Sequence, residues 1–202
     1  MSALLKLSGW IDSFNERIGR LLSWLVLAAV LISAGNAILR KTFNIGSNAF
    51  LEIQWYLFAA VFMLGAGYAF LKNAHVRIDF ISSKLSTRAN TIIDILGIVV
   101  FLVPLCLLLI DLSWPLFTQA YASGEMSQNA GGLIRWPVLL MIPAGFAILL
   151  VQALSELIKR VAYLQGLRDD PMSVEHGPSD EEKLAAELAA KAEQAAREGA
   201  RA

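Results

Sequence analysis

The chain has 202 residues, of which 56% are apolar and 17% are charged, and its mean hydropathy is +0.57. That balance is typical of a membrane protein and argues against a soluble domain. Lys plus Arg and Asp plus Glu both number 17. The chain therefore lacks the basic surplus with which a nucleic-acid-binding protein neutralises phosphates.

The first twenty residues have the pattern of an amphipathic helix. Apolar side chains recur at spacings of three and four, which predicts one apolar stripe; they are Leu4, Leu7, Ile11, Phe14 and Ile18. The neighbouring Trp10 favours a helix that lies in the membrane interface. A simple cytosolic lead-in to the first span is the alternative that the pattern leaves open.

Four long apolar runs follow, and each predicts a transmembrane helix. They cover residues 21–39, 53–71, 91–113 and 136–155. A run of nineteen residues is roughly 28 Å long as a helix, which matches the hydrocarbon core of a bilayer. The first run is longer and begins later than the apolar part of a cleavable signal peptide, so we expect it to be retained. The expected domains are an N-terminal segment at 1–20, a four-span membrane domain at 21–160 and a tail at 161–202.

The third predicted span contains three residues that are unusual in a membrane helix. Asp94 stands near its start and Asp111 near its end, about 25 Å apart, so we expect the two carboxylates near opposite rims. Pro104 lies between them and predicts a kink, which membrane helices tolerate when neighbouring groups satisfy the freed carbonyl.

The connecting segments differ in character. Residues 40–51 carry turn-forming side chains, and residues 72–90 mix basic and apolar residues as an interfacial segment does. Residues 114–135 form a second loop in which Gly131 and Gly132 offer flexible backbone and Glu125 and Arg135 are the only charges. In the tail, Ser179 followed by Glu182 reads as a capping box that opens a solvated helix. A partly disordered tail is an equally open alternative.

The distribution of basic residues predicts the orientation. With four spans the two termini share a side, and that side together with the loop of residues 72–90 carries fourteen of the seventeen Lys and Arg residues. The positive-inside bias therefore predicts that both termini are cytoplasmic.

Several kinds of chemistry have no visible carrier in the sequence. No predicted span holds an ionisable side chain at mid-depth, where proton relays and ion sites of pumps are found. Only two histidines exist, which is too few for paired haem ligands on four helices. The sole cysteine, Cys106, lies in an apolar run and is predicted to be a small buried hydrophobe. Phosphate-binding, metalloprotease and hydrolase motifs are absent, so we predict no enzyme, no cofactor and no metal site.

The spans do carry features of helix packing and of a membrane interface. Gly65, Gly67 and Gly145 permit close helix approach, either within the four spans or towards a partner. Glu52 and Gln54, followed by Trp55 and Tyr56, predict an aromatic belt with a polar rim. An ion pair between Glu52 and a partner subunit is the alternative.

Four sequence segments carry a family resemblance that covers roughly residues 21–160. They are EIQWY at 52–56, GAGYA at 65–69, HVRID at 75–79 and SGEMS at 123–127, followed by Gly131, Gly132, Pro137, Pro143 and Gly145. With these segments the chain resembles the small, DctQ-type membrane subunit of tripartite ATP-independent periplasmic (TRAP) transporters. It departs from the family's frequent paired acids after a tryptophan, because here Glu52 precedes Gln54 and Trp55.

The resemblance implies an all-α protein of the bacterial inner membrane with four transmembrane helices and cytoplasmic termini. It implies a small permease subunit that scaffolds a large multi-span membrane subunit, which takes up solute with sodium after a periplasmic solute-binding protein captures it. The EIQWY spelling is similar to the branch associated with mannitol-type and with aromatic or 2-oxo carboxylate systems, which hints at an organic acid.

The residues expected at an interface with these partners or with phospholipid follow from the same segments. They are Glu52, Gln54, Trp55, Gly65, Gly67, His75, Arg77, Asp79, Glu125, Gly131, Gly132, Arg135 and Pro137. The rival hypothesis is a stand-alone four-span channel or a membrane sensor whose charged tail signals in the cytoplasm.

Overall fold

A computed structural model of the protein describes residues 2–44, 46–73 and 85–167. Over these ranges the chain forms five α-helices, which are α1 (Ser2–Phe43), α2 (Asn48–Leu71), α3 (Thr87–Gly97), α4 (Val103–Ser123) and α5 (Trp136–Leu164). A π-helical turn, Ile98–Leu102, joins α3 to α4. Four helices are long and apolar enough to cross a membrane when Thr87–Ser123 is counted as one. The predicted all-α membrane fold with four spans is confirmed.

Helix α1 joins two segments that the sequence predicts to be separate. It runs for 42 residues with no break between the amphipathic segment and the first span. At 1.5 Å per residue it is about 63 Å long, roughly twice the thickness of the hydrocarbon core. No proline interrupts it, and its N-terminal part therefore continues the first span instead of forming a helix of its own.

The third predicted span is also part of a longer helix. Residues 114–123 were expected in a loop, but α4 continues to Ser123 and ends only at Gly124, whose φ of 63° is left-handed. This expectation was wrong because the apolar run ends at Asp111 whereas the helix does not. In the π-helical turn before Pro104, the N–H of Val103 donates to the carbonyl of Ile98. This π-helical turn lies just before Pro104, which has no backbone N–H to donate. Such turns are common beside residues that interrupt the hydrogen bonds of an α-helix.

Small residues fill the interior and large apolar residues cover the outside. The buried apolar residues include Ala60, Cys106 and Ala153, and the prediction that Cys106 is buried is confirmed. In contrast, the exposed fraction is 82% for Trp10 and 73% for Phe101. This arrangement suits a protein whose outer surface meets lipid and whose helices approach closely through small side chains.

Helices α2 and α5 pack together in the centre, with α1 on both of them and α4 on α5. Glycines make the central contact close. A Cβ on Gly145 would lie 2.6 Å from the backbone oxygen of Met63, and one on Gly67 would lie 2.8 Å from the Ile148 side chain. Gly65 lies against Leu22 in the same way. In the described residues these three glycines therefore join the spans to one another.

Candidate partner interface

Residues 124–135 fold into a short hairpin between α4 and α5, called here the 124–135 hairpin. Met126 and Ile134 form an isolated antiparallel bridge, and the N–H of Arg135 donates to the carbonyl of Glu125 at 2.9 Å. The turn at its tip has Gly131 in the left-handed region, with φ of 70°. Residues 124–135 of the segment predicted as a loop with flexible glycines thus form a hairpin.

Glu52 holds this hairpin to the first turns of α2. Its Oε1 accepts hydrogen bonds from the hydroxyl of Ser127 and from Nδ2 of Asn129, the latter at 2.7 Å. Its Oε2 accepts from the backbone N–H of Leu133 at 2.7 Å. The side chain is buried, with an exposed fraction of 5%. Glu52 was predicted to belong to a polar rim, and in the structure its carboxylate meets the donors of a loop 75 or more residues away.

The hairpin has further attachments around this carboxylate. The hydroxyl of Tyr56 donates to the carbonyl of Ile134 at 3.1 Å, and Nδ2 of Asn48 donates to the carbonyl of Ala130 at 3.0 Å. Gly132 has to be a glycine here, since a Cβ would lie 2.6 Å from the Ser127 side chain and 2.9 Å from Oε1 of Glu52. The hairpin is therefore fixed to α2 at several points.

An open pocket of about 460 Å³ lies beside the hairpin. It is lined by Glu52, Trp55, Tyr56, Ser127, Gln128, Asn129, Arg135 and Val138. Arg135 forms a half-exposed ion pair with Glu125, and Trp55 has an exposed fraction of 72%. Pro137 is in the first turn of α5 just below. Among the predicted interface residues, Glu52, Trp55 and Arg135 are thus brought together at one surface.

Gln54 faces a different surface, because it lines a separate cleft between α1 and α2. The remaining predicted residues, His75, Arg77 and Asp79, lie outside the described residues. In the described residues no group of three or more His, Cys, Asp or Glu side chains is placed to hold a metal ion.

The opposite end of the bundle contains a buried polar cluster, called here the α1–α5 network. Its members are Ser8, Asp12, Asn15, Asp94, Gln152, Ser155, Glu156, Lys159 and Arg160. Asp12 accepts from the Ser155 hydroxyl at 2.7 Å and from Nζ of Lys159 at 3.1 Å. Gln152 lies between Asp12 and Asn15, with distances of 2.9 and 2.8 Å to their side chains.

Charged side chains in this network are buried and paired. Glu156 forms ion pairs with both Lys159 and Arg160, and Arg160 also contacts Asp94 of α3 at 3.3 Å. The exposed fractions of Lys159 and Arg160 are only 6% and 3%. The network therefore connects α1, α3 and α5 where the chain leaves the apolar region.

This network was not predicted from the sequence, although the sequence contains a signal for it. Ser8, Asp12, Asn15 and Gly19 are spaced by four, three and four, the same helical period as the apolar stripe beside them. Within residues 2–20 of α1, Ser8, Asn15 and Gly19 are buried and Asp12 is half-buried, while Leu7, Trp10 and Phe14 are exposed. The amphipathic helix thus turns its polar face to the bundle, as is expected when the surroundings are lipid.

Comparison with known proteins gives this architecture a family. The family model for the DctQ component of tripartite ATP-independent periplasmic transporters matches residues 29–162. This chain belongs to the DctQ family. The matched region contains the 124–135 hairpin, Glu52 and the α5 side of the network, whereas the part of α1 that bears Asp12 precedes it.

A relative from Haemophilus influenzae is similar to part of this DctQ-family chain. It is named for the small permease protein of a TRAP transporter and is 34% identical over 93 residues. The alignment covers 46% of this chain and 56% of the relative, so the chain matches about half of the relative's length. No solved structure matches the chain. The family is one of transporter components and not of enzymes, and the four apolar helices fit a multi-pass membrane protein.

Proposed function

We propose that this DctQ-family chain is the small permease subunit that braces the large multi-span membrane subunit of a TRAP transporter. In this proposal a periplasmic solute-binding protein captures an organic acid, and the large subunit carries it inward with sodium. The family match and the Haemophilus relative support the class of protein. The partners, the sodium coupling and the solute are part of the proposal.

The observation that carries a bracing role is that the buried charges of the described residues already have partners inside the chain. Glu52 holds the 124–135 hairpin, and Glu156 pairs with Lys159 and Arg160. A residue that binds a coupling ion inside a membrane needs ligand atoms left free for that ion. These side chains use theirs to fix helices and a loop, which supports a structural role.

The position of Asp111 favours a neighbouring subunit that packs against α4. The helix continues twelve residues beyond it to Ser123, so Asp111 is not at the helix end as expected. Phe117 and Tyr121 contact Trp136 near one end of this span, and Asp94 contacts Arg160 near the other. Asp111 precedes Phe117 by six residues, so it lies about 9 Å closer than Phe117 to the Asp94 end. Its side chain is exposed. A carboxylate facing lipid at this depth is costly, so a donor from another subunit is expected to meet it.

Co-purification tests the proposal. The tagged full-length chain, extracted from its native membrane in a mild detergent, is expected to bring down a much larger multi-span protein. A monodisperse chain with no large partner would contradict the proposal, and a homo-oligomer that conducts ions would support the rival channel. The sensor alternative depends on the tail, most of which lies outside the described residues.

Variants of the chain then identify the surface. Asp111→Leu is expected to lose most of the large partner, while Glu16→Gln, which changes an exposed ion pair with Lys72, keeps it. Equal recovery with both variants would place the partner on another face.

Glu52→Ala and Arg135→Ala, which alter the 124–135 hairpin, are expected to reduce uptake without preventing insertion of the chain. Normal uptake in both would remove the hairpin from the docking surface.

The proposed location is the bacterial inner membrane with both termini in the cytoplasm. A reporter that is active only in the cytoplasm is expected to work when fused after residue 167, beyond the α1–α5 network. Activity of an export-dependent reporter at this site would reverse the orientation.

Reconstitution tests the transport step. Vesicles that contain the small and large subunits are expected to accumulate an organic acid only with the binding protein and an inward sodium gradient. Concentrative uptake by the small chain alone would overturn the bracing role.

A further inference from the structure

We propose that the cleft between the C-terminal end of α1 and the N-terminal end of α2 binds the headgroup phosphate of an anionic phospholipid. The cleft has a volume of about 470 Å³ and is lined by Ser33, Asn36, Ala37, Arg40, Lys41, Asn44, Leu51 and Gln54. We call it the α1–α2 cleft. The proposal concerns this chain alone and does not depend on the proposed transport function.

The level of the cleft matches that of lipid phosphates. The uncharged run of α1 ends at residue 39, and Arg40 and Lys41 follow at once. On the facing helix, Leu51 lines the cleft directly before Glu52, where the uncharged run of α2 begins. The two cations are therefore placed where the helices leave the hydrocarbon core, which is where snorkelling Lys and Arg side chains meet phosphate groups.

Both cations are available to an external anion. Among the residues that the structure describes, neither Arg40 nor Lys41 forms an ion pair, and no acidic side chain lines the cleft. The nearest acid in sequence, Glu52, is committed to the 124–135 hairpin. The positive charge of the cleft is thus uncompensated within the described chain, and an arginine can bind phosphate oxygens in a bidentate manner.

Asn36 adds a polar group to the wall of the α1–α2 cleft. Its exposed fraction is 9%, and its amide is not among the fully buried polar atoms that lack a partner in the described residues. The amide of Asn36 can therefore donate to an oxygen of a headgroup bound between Arg40 and Gln54.

The first turn of α2 adds to this site. Ser47 occupies the cap position of α2 but its side chain accepts no hydrogen bond from the helix. The first N–H groups of α2 are therefore not capped by a side chain, and such groups favour an anion. Lys41 and Arg40 are in the last turn of α1, where they also offset the negative end of that helix dipole.

Apolar surface beside the cleft favours a lipid over a free anion. Ala37 and Leu51 are part of its wall, and Ile38 and Phe43 nearby are 62% and 63% exposed. Acyl chains attached to the phosphate can lie against these side chains. A free phosphate would leave this surface uncovered.

Native mass spectrometry of the full-length chain, purified with any partner that accompanies it, tests the proposal. The probes are phosphatidylglycerol and phosphatidylcholine at equal concentration in mild detergent. We expect preferential retention of one phosphatidylglycerol. Neutralising one cation, in Arg40→Gln or Lys41→Gln, is expected to weaken this retention about fivefold, the change that corresponds to about 1 kcal/mol per basic residue near an anionic membrane surface.

The matched control removes the same number of charges elsewhere. The double variant Arg17→Gln/Arg20→Gln is expected to retain the lipid, whereas Arg40→Gln/Lys41→Gln is expected to lose it. Equal loss in both double variants, or no loss in either, would overturn the proposal. Asn36→Asp places a negative charge on the floor of the cleft and is expected to abolish retention while helicity stays normal; retention by this variant would also overturn the assignment.

Competition distinguishes the two sources of phosphate. Inorganic phosphate and glycerol phosphate in large excess are expected to leave the bound phosphatidylglycerol in place, because they lack acyl chains. Displacement by either one would overturn the lipid assignment and show a site for free anions. If the double variant fails to fold, the single variants and Asn36→Asp decide the question.

Discussion

The two ends of the bundle use buried carboxylates in different ways. At one end, the Glu52 carboxylate accepts from three donors of the 124–135 hairpin and helps to fix this loop to one helix. At the other, Glu156 and Asp12 pair with Lys159 and Arg160 and connect α1, α3 and α5. Apolar side chains in lipid do not distinguish one neighbouring helix from another. The comparison indicates that the polar ends of these spans, together with the glycine contacts between α2 and α5, determine which helices meet and how the 124–135 hairpin lies.

The largest effect is expected from Glu156→Leu at the α1–α5 network. The change leaves Lys159 and Arg160 buried without this partner, and breaking a buried ion pair from one side costs about 3–5 kcal/mol. The measurement is the free energy of unfolding of the full-length chain in mixed detergent micelles. A loss similar to that of Glu16→Gln, at an exposed pair, would mean that the network does not join the helices.

A smaller and more local effect is expected from Glu52→Leu. The donors of Ser127, Asn129 and Leu133 lose their bonds to the carboxylate, but they lie beside an open pocket where water can replace it. The net loss is therefore expected to be about 1.5–3 kcal/mol, the contribution of a single hydrogen bond to a charged group. Hydrogen exchange is expected to accelerate in residues 127–134 while the amides around Asp12 and Ser155 keep their protection. Faster exchange at both ends would show that the two ends are not independent. Glu125→Gln, in the same hairpin, is the control.

The central helix contact is tested by Gly145→Ala. A Cβ would lie 2.6 Å from the backbone oxygen of Met63, and overpacking of this kind costs about 1–3 kcal/mol. The matched control is Gly35→Ala in α1, where nothing lies within 4 Å of an added Cβ and alanine favours the helix by up to about 1 kcal/mol. Equal stability of the two variants would contradict the close approach of α2 and α5.

The smallest effect is expected from Arg135→Gln. Its ion pair with Glu125 is half-exposed, with 41% and 43% of the two side chains accessible, and such pairs contribute about 0.2–1 kcal/mol. The small loss in unfolding free energy should disappear in 1 M salt, where screening acts within roughly 3 Å. A loss that is large and independent of salt would assign this pair a role like that of the network.

Some of this structure follows from local sequence and some does not. The four crossings were predictable because each is a continuous apolar run whose length alone matches a bilayer. The C-terminal end of α4 was predicted too early, because Asp111 ends the apolar run while the helix continues to Ser123. Hydropathy reports the surroundings of a segment and not its backbone conformation.

The interface residues were predicted less completely. Glu52, Trp55 and Arg135 do meet at one pocket, and residues of the 124–135 segment were among those predicted at a partner interface. The burial of Glu52 was not foreseen, since its donors come from Ser127, Asn129 and Leu133 across the bundle. A glutamate three residues before a tryptophan has the same sequence signature whether its carboxylate faces water or a loop.

The composition and the apolar runs determine that the chain has four segments able to cross a membrane, since the free energy of transfer into a bilayer depends on each segment by itself. Which polar groups face one another is settled only when the helices assemble. Asp12 meets Ser155 and Lys159 across 143 and 147 residues of chain. A buried polar atom must find a partner, and the packed bundle is what brings that partner within reach.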